Sequence, residues 1–411
     1  MNYCIIMPRI TEIEDESYRF PLGIAYVSAA LKQTGRNVIT CNLNYKSETV
    51  PQLVSDIVIT NNIDVLATGG LTTQYWQLKE IIDSARAANP KITIWIGGGI
   101  ITSAPIPAME ALEDADIGMI GEGEVTICEL ADAAEGKRSL ESVDGLVFKK
   151  EQKWIITKPR NEISDLDTLP FPDYEGFEFG LTVTRKPTNA YSTSGSGTAF
   201  ISFGRSCPFN CTFCFHPSGT KYRQRSIKSI FSELDYLIEK YGVKSIVVSD
   251  ELFITEKNKL SQFCTEIKKR NITFSISLRV DMVDREMLQM LKQHGCIQVC
   301  FGLESADNRI LRSMRKNITI EQSERALRLC NELQLNVLGG FIFGDEEETV
   351  ETARNTINWW KKHPEYCITT SLIMVYPGSI LYKNACKRGI ISDEVQFIKD
   401  GCPNINVSKM S

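Results

Sequence analysis

Three cysteines, Cys207, Cys211 and Cys214, lie within eight positions in the stretch FGRSCPFNCTFCF at residues 203–215. Thiolates are the ligands of zinc ions and of iron–sulfur clusters. A closed structural zinc site has four protein ligands, so a set of three cysteines needs an explanation. The spacing therefore predicts a metal site whose fourth position is filled in another way.

Two kinds of site satisfy this requirement. His216 follows Cys214 by two residues and could close a Cys3His zinc site, which would make the chain a zinc-stapled binding protein. A [4Fe-4S] cluster has four irons, so three thiolates leave one iron free to bind an outside ligand. The order Cys-x3-Cys-x2-Cys, with Phe213 before the last cysteine, favours the cluster, as does its place on a strand-to-helix loop.

The composition sets the broad class. The chain has 411 residues, of which 43% are apolar and 24% charged, and its formal net charge is −5. This length predicts two or three domains, and the negative charge gives no reason to expect a nucleic-acid partner. We find no secretion signal and no apolar run long enough to span a membrane, so we predict a cytoplasmic protein. In that compartment the thirteen cysteines do not form a disulfide framework.

The first 136 residues alternate strand and helix patterns. Apolar, uninterrupted strands are predicted at 3–7, 37–40, 63–70, 92–99 and 117–124. Such strands indicate a parallel sheet covered by helices on both faces, whose ligand site lies at the carboxyl ends of the strands. We therefore predict a Rossmann-like open sheet over 1–136. A Pro- and Asp-rich linker with a β-hairpin follows over 137–198, and the small polar residues 191–198 are expected to be mobile.

A second alternating series follows over 199–385, and residues 386–411 form a C-terminal tail. Strands are predicted at 199–204, 245–250, 272–280, 297–305, 337–344 and 368–378. Six parallel strands with intervening helices predict a partial (β/α)6 barrel, with its chemistry at the carboxyl ends of the strands. The cysteines lie just past the first of these strands. The fold class is therefore α/β, with an open parallel sheet followed by a partial barrel resembling a TIM barrel.

The segment Cys207-Pro-Phe-Asn-Cys211-Thr-Phe213-Cys214 resembles the signature of radical S-adenosylmethionine (radical SAM) enzymes. The N-terminal pattern resembles the subgroup that carries a cobalamin-binding domain in front of the barrel. The resemblance implies a [4Fe-4S] cluster bound by the three cysteines, with SAM chelating the free iron. It also implies a set of SAM-side contacts at the strand ends: Phe213, Asp250, Glu251, Ser277, Arg279, Glu304 and Gly340.

Purely structural roles are the alternative for several of these SAM-side residues. Asp250 and Glu251 are expected to face the SAM ammonium, but acids after a strand also cap turns. Arg279 and Glu304 could form ordinary salt bridges at the barrel rim. Tyr376, after the sixth strand, is expected to face the substrate as a catalytic residue or else to be a core tyrosine.

One turn departs from the family pattern. The fifth predicted strand runs into Gly344-Asp345-Glu346-Glu347-Glu348-Thr349, where the family usually shows Gly-x-Pro-Gly-Glu-Thr. Gly344, Glu348 and Thr349 match. The three acidic residues do not, so the shape of this turn cannot be carried over from the family.

The resemblance further implies cobalamin in the first domain. The three histidines of the chain, His216, His294 and His363, all lie outside that domain, so cobalt would have no histidine ligand from it. Glycines at strand ends permit close backbone approach, although such glycines also make simple tight turns. The predicted cobalamin contacts follow the third, fourth and fifth strands: Gly69, Thr72, Thr73, Gly97, Gly98, Gly99, Ser103, Gly121, Glu122, Gly123 and Glu124.

The resemblance implies a methyltransferase that acts on an unactivated carbon through methylcobalamin and a 5′-deoxyadenosyl radical. A cyclisation, ring rearrangement or oxidation with the same cofactors is an alternative, and so is a radical SAM enzyme that no longer uses cobalamin. The implied partners are a small-molecule substrate and an electron donor of the flavodoxin or ferredoxin type. The sequence identifies neither the substrate nor the oligomeric state.

Overall fold

The structure is a computed structural model and describes residues 1–11, 18–185, 196–254 and 256–410. The predicted mobile residues 191–195 lie outside these ranges. Within the described ranges, no helix is long and apolar enough to cross a membrane.

The first domain is built on a seven-stranded sheet in the order β2-β1-β3-β4-β5-β6-β7. The first five strands are parallel, while β6 and β7 are antiparallel to their neighbours. The order reverses at β1, which lies between β2 and β3, and such a reversal opens a crevice at the carboxyl ends of the strands. The strands are β1 (Tyr3–Met7), β2 (Val38–Asn42), β3 (Val65–Gly69), β4 (Thr93–Gly97), β5 (Ile117–Met119), β6 (Leu146–Lys150) and β7 (Lys153–Ile156).

Helices cover both faces of this sheet. Strand β1 shows why its sequence is apolar throughout: Ile5 packs in one core cluster and Ile6 in the other. A strand that is buried on both faces carries no alternating polar residues. The helices of this domain are α1 (Leu22–Gln33), α2 (Val50–Thr60), α3 (Tyr75–Ala88), α4 (Gly99–Ser103), α5 (Pro105–Ala111) and α6 (Gly123–Ala134).

Two details differ from the sequence prediction. The hairpin assigned to the linker forms, but β6 pairs with β5 and extends the first sheet beyond residue 136. The predicted strand 117–124 ends at Met119, because Gly121 has a φ of 80° and Glu122 is the N-cap of α6. Consequently the loop Gly121–Glu124 leads into a helix N-terminus.

The second domain contains a six-stranded parallel sheet in the order β15-β14-β13-β12-β11-β8. The outer strands β8 and β15 do not pair with each other, so the sheet is an open, partial barrel as predicted. A short antiparallel ladder, β9 with β10, follows β8. The strands are β8 (Thr198–Ile201), β9 (Gly204–Arg205), β10 (Arg223–Gln224), β11 (Ser245–Val248), β12 (Thr273–Leu278), β13 (Cys296–Glu304), β14 (Asn336–Phe343) and β15 (Thr369–Leu372).

Local N-caps fix where several helices of this domain start. Ser226 caps α8 by accepting a hydrogen bond from the Ser229 N–H. Asp284 and Thr319 cap α10 and α12 in the same way. The helices are α7 (Phe179–Val183), α8 (Ile227–Tyr241), α9 (Lys257–Arg270), α10 (Arg285–Gln293), α11 (Asn308–Ser313), α12 (Ile320–Glu332), α13 (Val350–Lys362), α14 (Ile380–Lys387) and α15 (Glu394–Lys399).

The tail predicted from residue 386 onward contains α15, which returns to the first domain. Helix α15 packs against α3 and α5, and Ile398 is fully buried in one of the two cores of the first sheet. The adjacent Phe397 is buried in a third cluster, between the tail and the barrel. The last described residues therefore connect the two domains.

Candidate functional site

The loop that carries the three cysteines follows β9 and is fixed at both ends. Arg223 donates to the Ser206 hydroxyl at 3.2 Å and to the Ser218 carbonyl at 2.5 Å, which ties the start of the loop to its end. In the middle of the loop, the Thr212 N–H donates to the Met314 carbonyl at 3.0 Å. The Thr212 carbonyl accepts from the Leu381 N–H at 2.8 Å. The cysteines therefore lie on a loop that is fastened to α11 and α14.

The surroundings favour the thiolate at Cys211, while burial raises the pKa of Cys207. A hydrogen bond from Cys214, with further stabilisation by the nearby cations Lys316 and Arg279, lowers the pKa of Cys211 to about 6. The same hydrogen bond, together with burial, raises the pKa of Cys214. A thiolate is the form that binds a metal. The loop thus provides three sulfur ligands, at least one of which is held ready to ionise.

These three sulfurs suit a cluster better than a single ion. In the described part of the chain, no three His, Cys, Asp or Glu side chains are grouped so that they could hold one metal ion. A cubane also needs its three cysteines close together, but each thiolate binds a different iron, so the sulfurs stand farther apart than around a single ion. The Nδ1 atom of His216 is not directed at the cysteines, because it lies 2.5 Å from a Glu251 carboxylate oxygen. The donor set therefore fits a [4Fe-4S] cluster.

Asp250 and Glu251 occupy different environments. One Asp250 oxygen accepts hydrogen bonds from the Phe203 N–H at 2.8 Å and the Ser202 hydroxyl at 3.0 Å. The other oxygen is buried without a partner, and burial raises the pKa of Asp250 to about 7. Glu251 is exposed and pairs with His216. The structure thus places Asp250 as a support for the end of β8 and Glu251 beside the cysteine loop.

Arg279 and Glu304 are both engaged in buried ion pairs at the barrel rim. Arg279 pairs with Asp281, and its guanidinium lies 3.6 Å from the ring centre of Phe209 in the cysteine loop. Glu304 has a φ of 62° at an irregularity of β13 and pairs with Lys316 at 2.7 Å. Although burial lowers it, the pKa of Lys316 stays above its ordinary value because of Glu304. The structure therefore shows the rim salt bridges that the sequence left as an alternative.

The barrel face that points away from the helices carries small and hydroxylated residues. Gly302 of β13 lies opposite Gly340 of β14. Ser275 and Ser277 alternate along β12 on the same face, since residues two apart on a strand point the same way. The Ser275 hydroxyl is buried without a hydrogen-bond partner. Ser277 and Gly340 therefore lie on the same face of the barrel sheet, and their contact with SAM stays a prediction.

Aromatic residues join the cysteine loop to the first domain. Tyr376 accepts a hydrogen bond from the Thr72 N–H at 3.2 Å, and its ring stacks on Phe215 with an interplanar angle of 18°. Gly378 is needed beside them, because a Cβ there would lie 2.6 Å from the Phe215 ring. Phe213, by contrast, packs on the apolar cluster between α11 and α14. Tyr376 therefore lies at the contact between the two domains.

The acidic turn after β14 is held by ion pairs rather than by the family's proline and glycine. Asp345 is buried and accepts from the Ser313 hydroxyl at 2.5 Å. Glu346 pairs with Arg388 and Glu347 with Lys409. Thr349 then caps α13. The three acids that depart from the family pattern thus connect this turn to α11 and the C-terminal segment.

The glycines predicted to contact cobalamin form a narrow edge of the first sheet. Gly69 of β3 lies opposite Gly97 of β4. Gly98 has a φ of 86°, and a Cβ there would lie 2.7 Å from the Gly70 carbonyl oxygen. The hydroxyls of Thr72 and Ser103 lie 3.4 Å apart at the same edge. This edge presents backbone and hydroxyl groups beside the Tyr376 and Phe215 rings, and its contact with the nucleotide tail of cobalamin stays a prediction.

The remaining predicted cobalamin contacts differ among themselves. Thr73 is exposed near this edge. Gly99 begins α4, and a Cβ there would lie 3.7 Å from the Phe215 ring. Gly123 begins α6 against Val27. At each of these three positions, the residue is explained by the local structure as well as by contact with a ligand.

Glu122 and Glu124 are turned toward the second domain. Glu122 accepts hydrogen bonds from Arg205 and Arg223, each at 2.7 Å, and from the Ile163 N–H at 2.6 Å. Glu124 pairs with Arg205. Both carboxylates are buried. The structure therefore assigns these two residues to interdomain ion pairs instead of an open ligand edge.

Four residues of the site were missed by sequence reasoning: Phe215, Lys316, Arg205 and Arg223. Phe215 and Arg205 lie inside the stretch that contains the cysteines, so their nearness to the site could have been noticed. Lys316 lies in no motif. Arg223 lies five residues after Ser218 in the sequence. Only folding of the loop brings its side chain to Ser206.

Two family models match the chain in the order that the geometry indicates. The model described as the B12 binding domain matches residues 11–131, and the model described as the Radical SAM superfamily matches residues 201–359. The first range lies within the first domain, and the second range covers the cysteine loop and strands β9 to β14 of the second domain.

Two relatives are similar to this chain over most of its length. An uncharacterised methyltransferase of Pyrococcus horikoshii is 28% identical over 90% of this chain and 79% of its own length. An anaerobic magnesium-protoporphyrin IX monomethyl ester cyclase of Rubrivivax gelatinosus is 26% identical over 82% of this chain and 61% of its own length.

A solved structure supports the fold. The radical SAM methyltransferase TsrM from Kitasatospora setae, with cobalamin and a [4Fe-4S] cluster bound, superposes with a TM-score of 0.76. It is 18% identical, and the match covers 94% of this chain and 75% of that one. A further TsrM structure holds a tryptophan substrate and a SAM analogue. With both domain matches and the cysteine loop in place, this chain contains a B12-binding domain followed by a radical SAM domain.

Proposed function

We propose that the protein methylates an unactivated carbon of a small-molecule substrate. The observation that carries the proposal is the direct contact between the two cofactor regions. Tyr376, at the end of the barrel, binds the Thr72 N–H of the glycine edge and stacks on Phe215, the residue after Cys214. When bound, the cluster and SAM would supply hydrogen abstraction from carbon, and cobalamin would supply a transferable methyl group.

The residues of the chain would support this chemistry in distinct ways. The three cysteines bind the cluster, and Lys316 and Arg279 place positive charge beside Cys211. The buried Ser275 hydroxyl on the barrel face would offer a substrate group a hydrogen bond. A buried polar group without a partner is costly, so a substrate group that pairs with it gains affinity.

A non-methylating reaction is the second candidate, because one similar relative is a cyclase that acts on a magnesium porphyrin ester. The same two cofactor regions would serve a ring closure. A flavodoxin or ferredoxin would supply the electron in either case, and we place the reaction in the cytoplasm as part of the proposal.

The test is an anaerobic purification followed by reconstitution with iron, sulfide and hydroxocobalamin, and then desalting. We expect about four irons per chain and one retained corrinoid. A variant in which Cys207, Cys211 and Cys214 are all alanine is expected to lose the iron and all SAM cleavage. Cys264→Ala is the matched control, because Cys264 is a fully buried thiol of the barrel core outside the loop.

The products of SAM then separate the candidates. S-adenosylhomocysteine together with 5′-deoxyadenosine supports methyl transfer, whereas 5′-deoxyadenosine alone supports the non-methylating reaction. Iron without corrinoid would contradict both cobalamin-dependent reactions. Zinc without sulfide would contradict radical chemistry altogether.

A further inference from the structure

Two carboxylates of the first domain meet two arginines of the second beside the cysteine loop. We call Glu122, Glu124, Arg205 and Arg223 the interdomain clamp. Arg205 donates one nitrogen to Glu122 at 2.7 Å and the other to Glu124. Arg223 donates to the second oxygen of Glu122 at 2.7 Å. All four side chains therefore form one continuous network.

The clamp is shielded from water. The side chains of Glu122 and Glu124 are each 4% exposed, and that of Arg223 is 7% exposed. Arg205 also lies over the ring of Tyr26 in α1, 5.2 Å from its centre. A buried charge is tolerated only while it is paired, so removing one partner is strongly unfavourable. The two domains are thus held in one relative position by groups that cannot separate at low cost.

Each end of the clamp continues into a cofactor loop. On the first domain, the Gly121 N–H donates to the Thr102 hydroxyl at 2.9 Å, and Thr102 donates to the Gly98 carbonyl at 3.0 Å. These bonds link the loops after β5 and β4. On the second domain, Arg223 holds both Ser206, which precedes Cys207, and the end of the loop. Hydrogen bonds, joined through the peptide link between Gly121 and Glu122, therefore connect the glycine edge to the neighbour of the first cysteine.

We infer that the interdomain clamp sets the distance between the glycine edge and the cysteine loop, with Glu122 and Arg205 as its positioning residues. This inference rests on the proposed function for the identity of the two cofactors. Two cofactors that act in turn on one substrate must be held at a fixed separation, since small misplacements cost large factors in rate. The clamp supplies that separation without touching either reacting centre.

The first test needs no cofactor in the first domain. Amide hydrogen exchange is measured by mass spectrometry on peptides that cover residues 206–218, in wild type and in Glu122→Gln. The amide keeps the size of the side chain but removes the charge that holds both arginines. We expect exchange in 206–218 to be about tenfold faster or more, although the substitution is in the other domain.

Glu135→Gln is the matched control, because Glu135 pairs with Arg36 within the first domain. We expect it to leave exchange in 206–218 unchanged. Arg205→Lys is the second variant, for the case that Glu122→Gln does not fold. It retains the charge but loses the fork that reaches two carboxylates, and we expect it to loosen the same peptides. Unchanged protection of 206–218 in the folded variants would overturn the inference.

The second test uses the protein reconstituted with iron, sulfide and hydroxocobalamin. Pulsed electron paramagnetic resonance measures the distance between the reduced cluster and cob(II)alamin. We expect one narrow distance in wild type and in Glu135→Gln, and a broader or longer distribution in Glu122→Gln with iron and corrinoid contents unchanged. An identical distribution would overturn the inference. A wild type that retains no corrinoid contradicts the proposed function instead, and the exchange test still decides the clamp.

Discussion

The carboxyl edges of the two sheets are formed by different chemical groups. The edge of the first sheet is made of backbone, since Gly69, Gly97 and Gly98 bring β3 and β4 together without side chains. The rim of the second sheet is made of charged side chains, and Arg279 and Lys316 are held in buried ion pairs beside the cysteines.

This difference shows two ways of preparing a site. Glycine leaves room for a ligand to approach the backbone, and its removal is felt through sterics. Buried charges create a local electric field, and their removal is felt through an unpaired partner. Substitutions at the two edges are therefore expected to differ in size and in kind.

The largest effect is expected at the charged rim. Lys316→Met leaves Glu304 buried without its partner, so we expect the free energy of unfolding to fall by about 3 kcal/mol. Urea unfolding followed by circular dichroism measures this loss. The double variant Lys316→Met with Glu304→Gln is the control, and it is expected to recover part of the stability. A loss within about 0.5 kcal/mol, typical of a surface site, would contradict the assignment.

The buried carboxyl group of Asp250 in the second domain also predicts that the stability of the protein depends on pH. Burial raises the pKa of Asp250 to about 7, so the folded protein retains a proton that the unfolded chain releases near pH 4. Stability should therefore fall as the pH rises between about 4 and 7, with a slope of at most about 1.4 kcal/mol per pH unit.

Asp250→Asn tests this dependence. Its side-chain oxygen can still accept from the Phe203 N–H and the Ser202 hydroxyl, but it does not titrate. Urea unfolding between pH 5 and pH 8 is expected to show a flatter profile in the variant. Equal slopes in variant and wild type would contradict a titrating Asp250.

At the glycine edge we expect a steric effect. Gly98→Ala combines a positive φ with a Cβ 2.7 Å from the Gly70 carbonyl oxygen, so we expect a loss of about 2 kcal/mol together with weaker corrinoid retention. Gly136→Ala is the matched control, because Gly136 has a φ of 75° and open space around the added Cβ. Equal losses in the two variants would show that the close approach at Gly98 carries no cost.

The smallest effect is expected where the two edges touch. Tyr376→Phe removes the acceptor of the Thr72 N–H and retains the ring that stacks on Phe215, so we expect a loss of about 1 kcal/mol. Thermal unfolding of variant and wild type measures it. Thr184→Ala is a suitable control, because Thr184 is exposed and its hydroxyl donates to the Leu181 carbonyl of its own helix turn. No difference between Tyr376→Phe and this control would show that the contact is dispensable.

Much of the architecture follows from local patterns. The strands of both parallel sheets and the place of the cysteine loop depend on residues near one another in sequence, and these features were predicted. The end of β5 was missed because the left-handed φ of Gly121 and the N-cap at Glu122 turn a strand-like pattern into a helix start.

The roles of several site residues depend on distant partners. Glu122 was predicted to belong to a ligand edge because it follows a strand, yet Arg205 and Arg223, about a hundred residues away, bind it. Asp250 shows the same limit, since its partners Phe203 and Ser202 lie between β8 and β9, nearly fifty residues earlier. A single sequence does not show which long-range partner a buried charge finds.

The packing of α15 has a consequence for biogenesis. Ile398 completes an apolar core whose other members, such as Val54 and Leu78, are synthesised hundreds of residues earlier. During translation, part of that core therefore stays uncovered until the barrel and α15 have been synthesised. Contacts of such high sequence separation slow folding and expose a nascent chain to aggregation. Helix α15 thus makes complete maturation of the first domain depend on synthesis of the second.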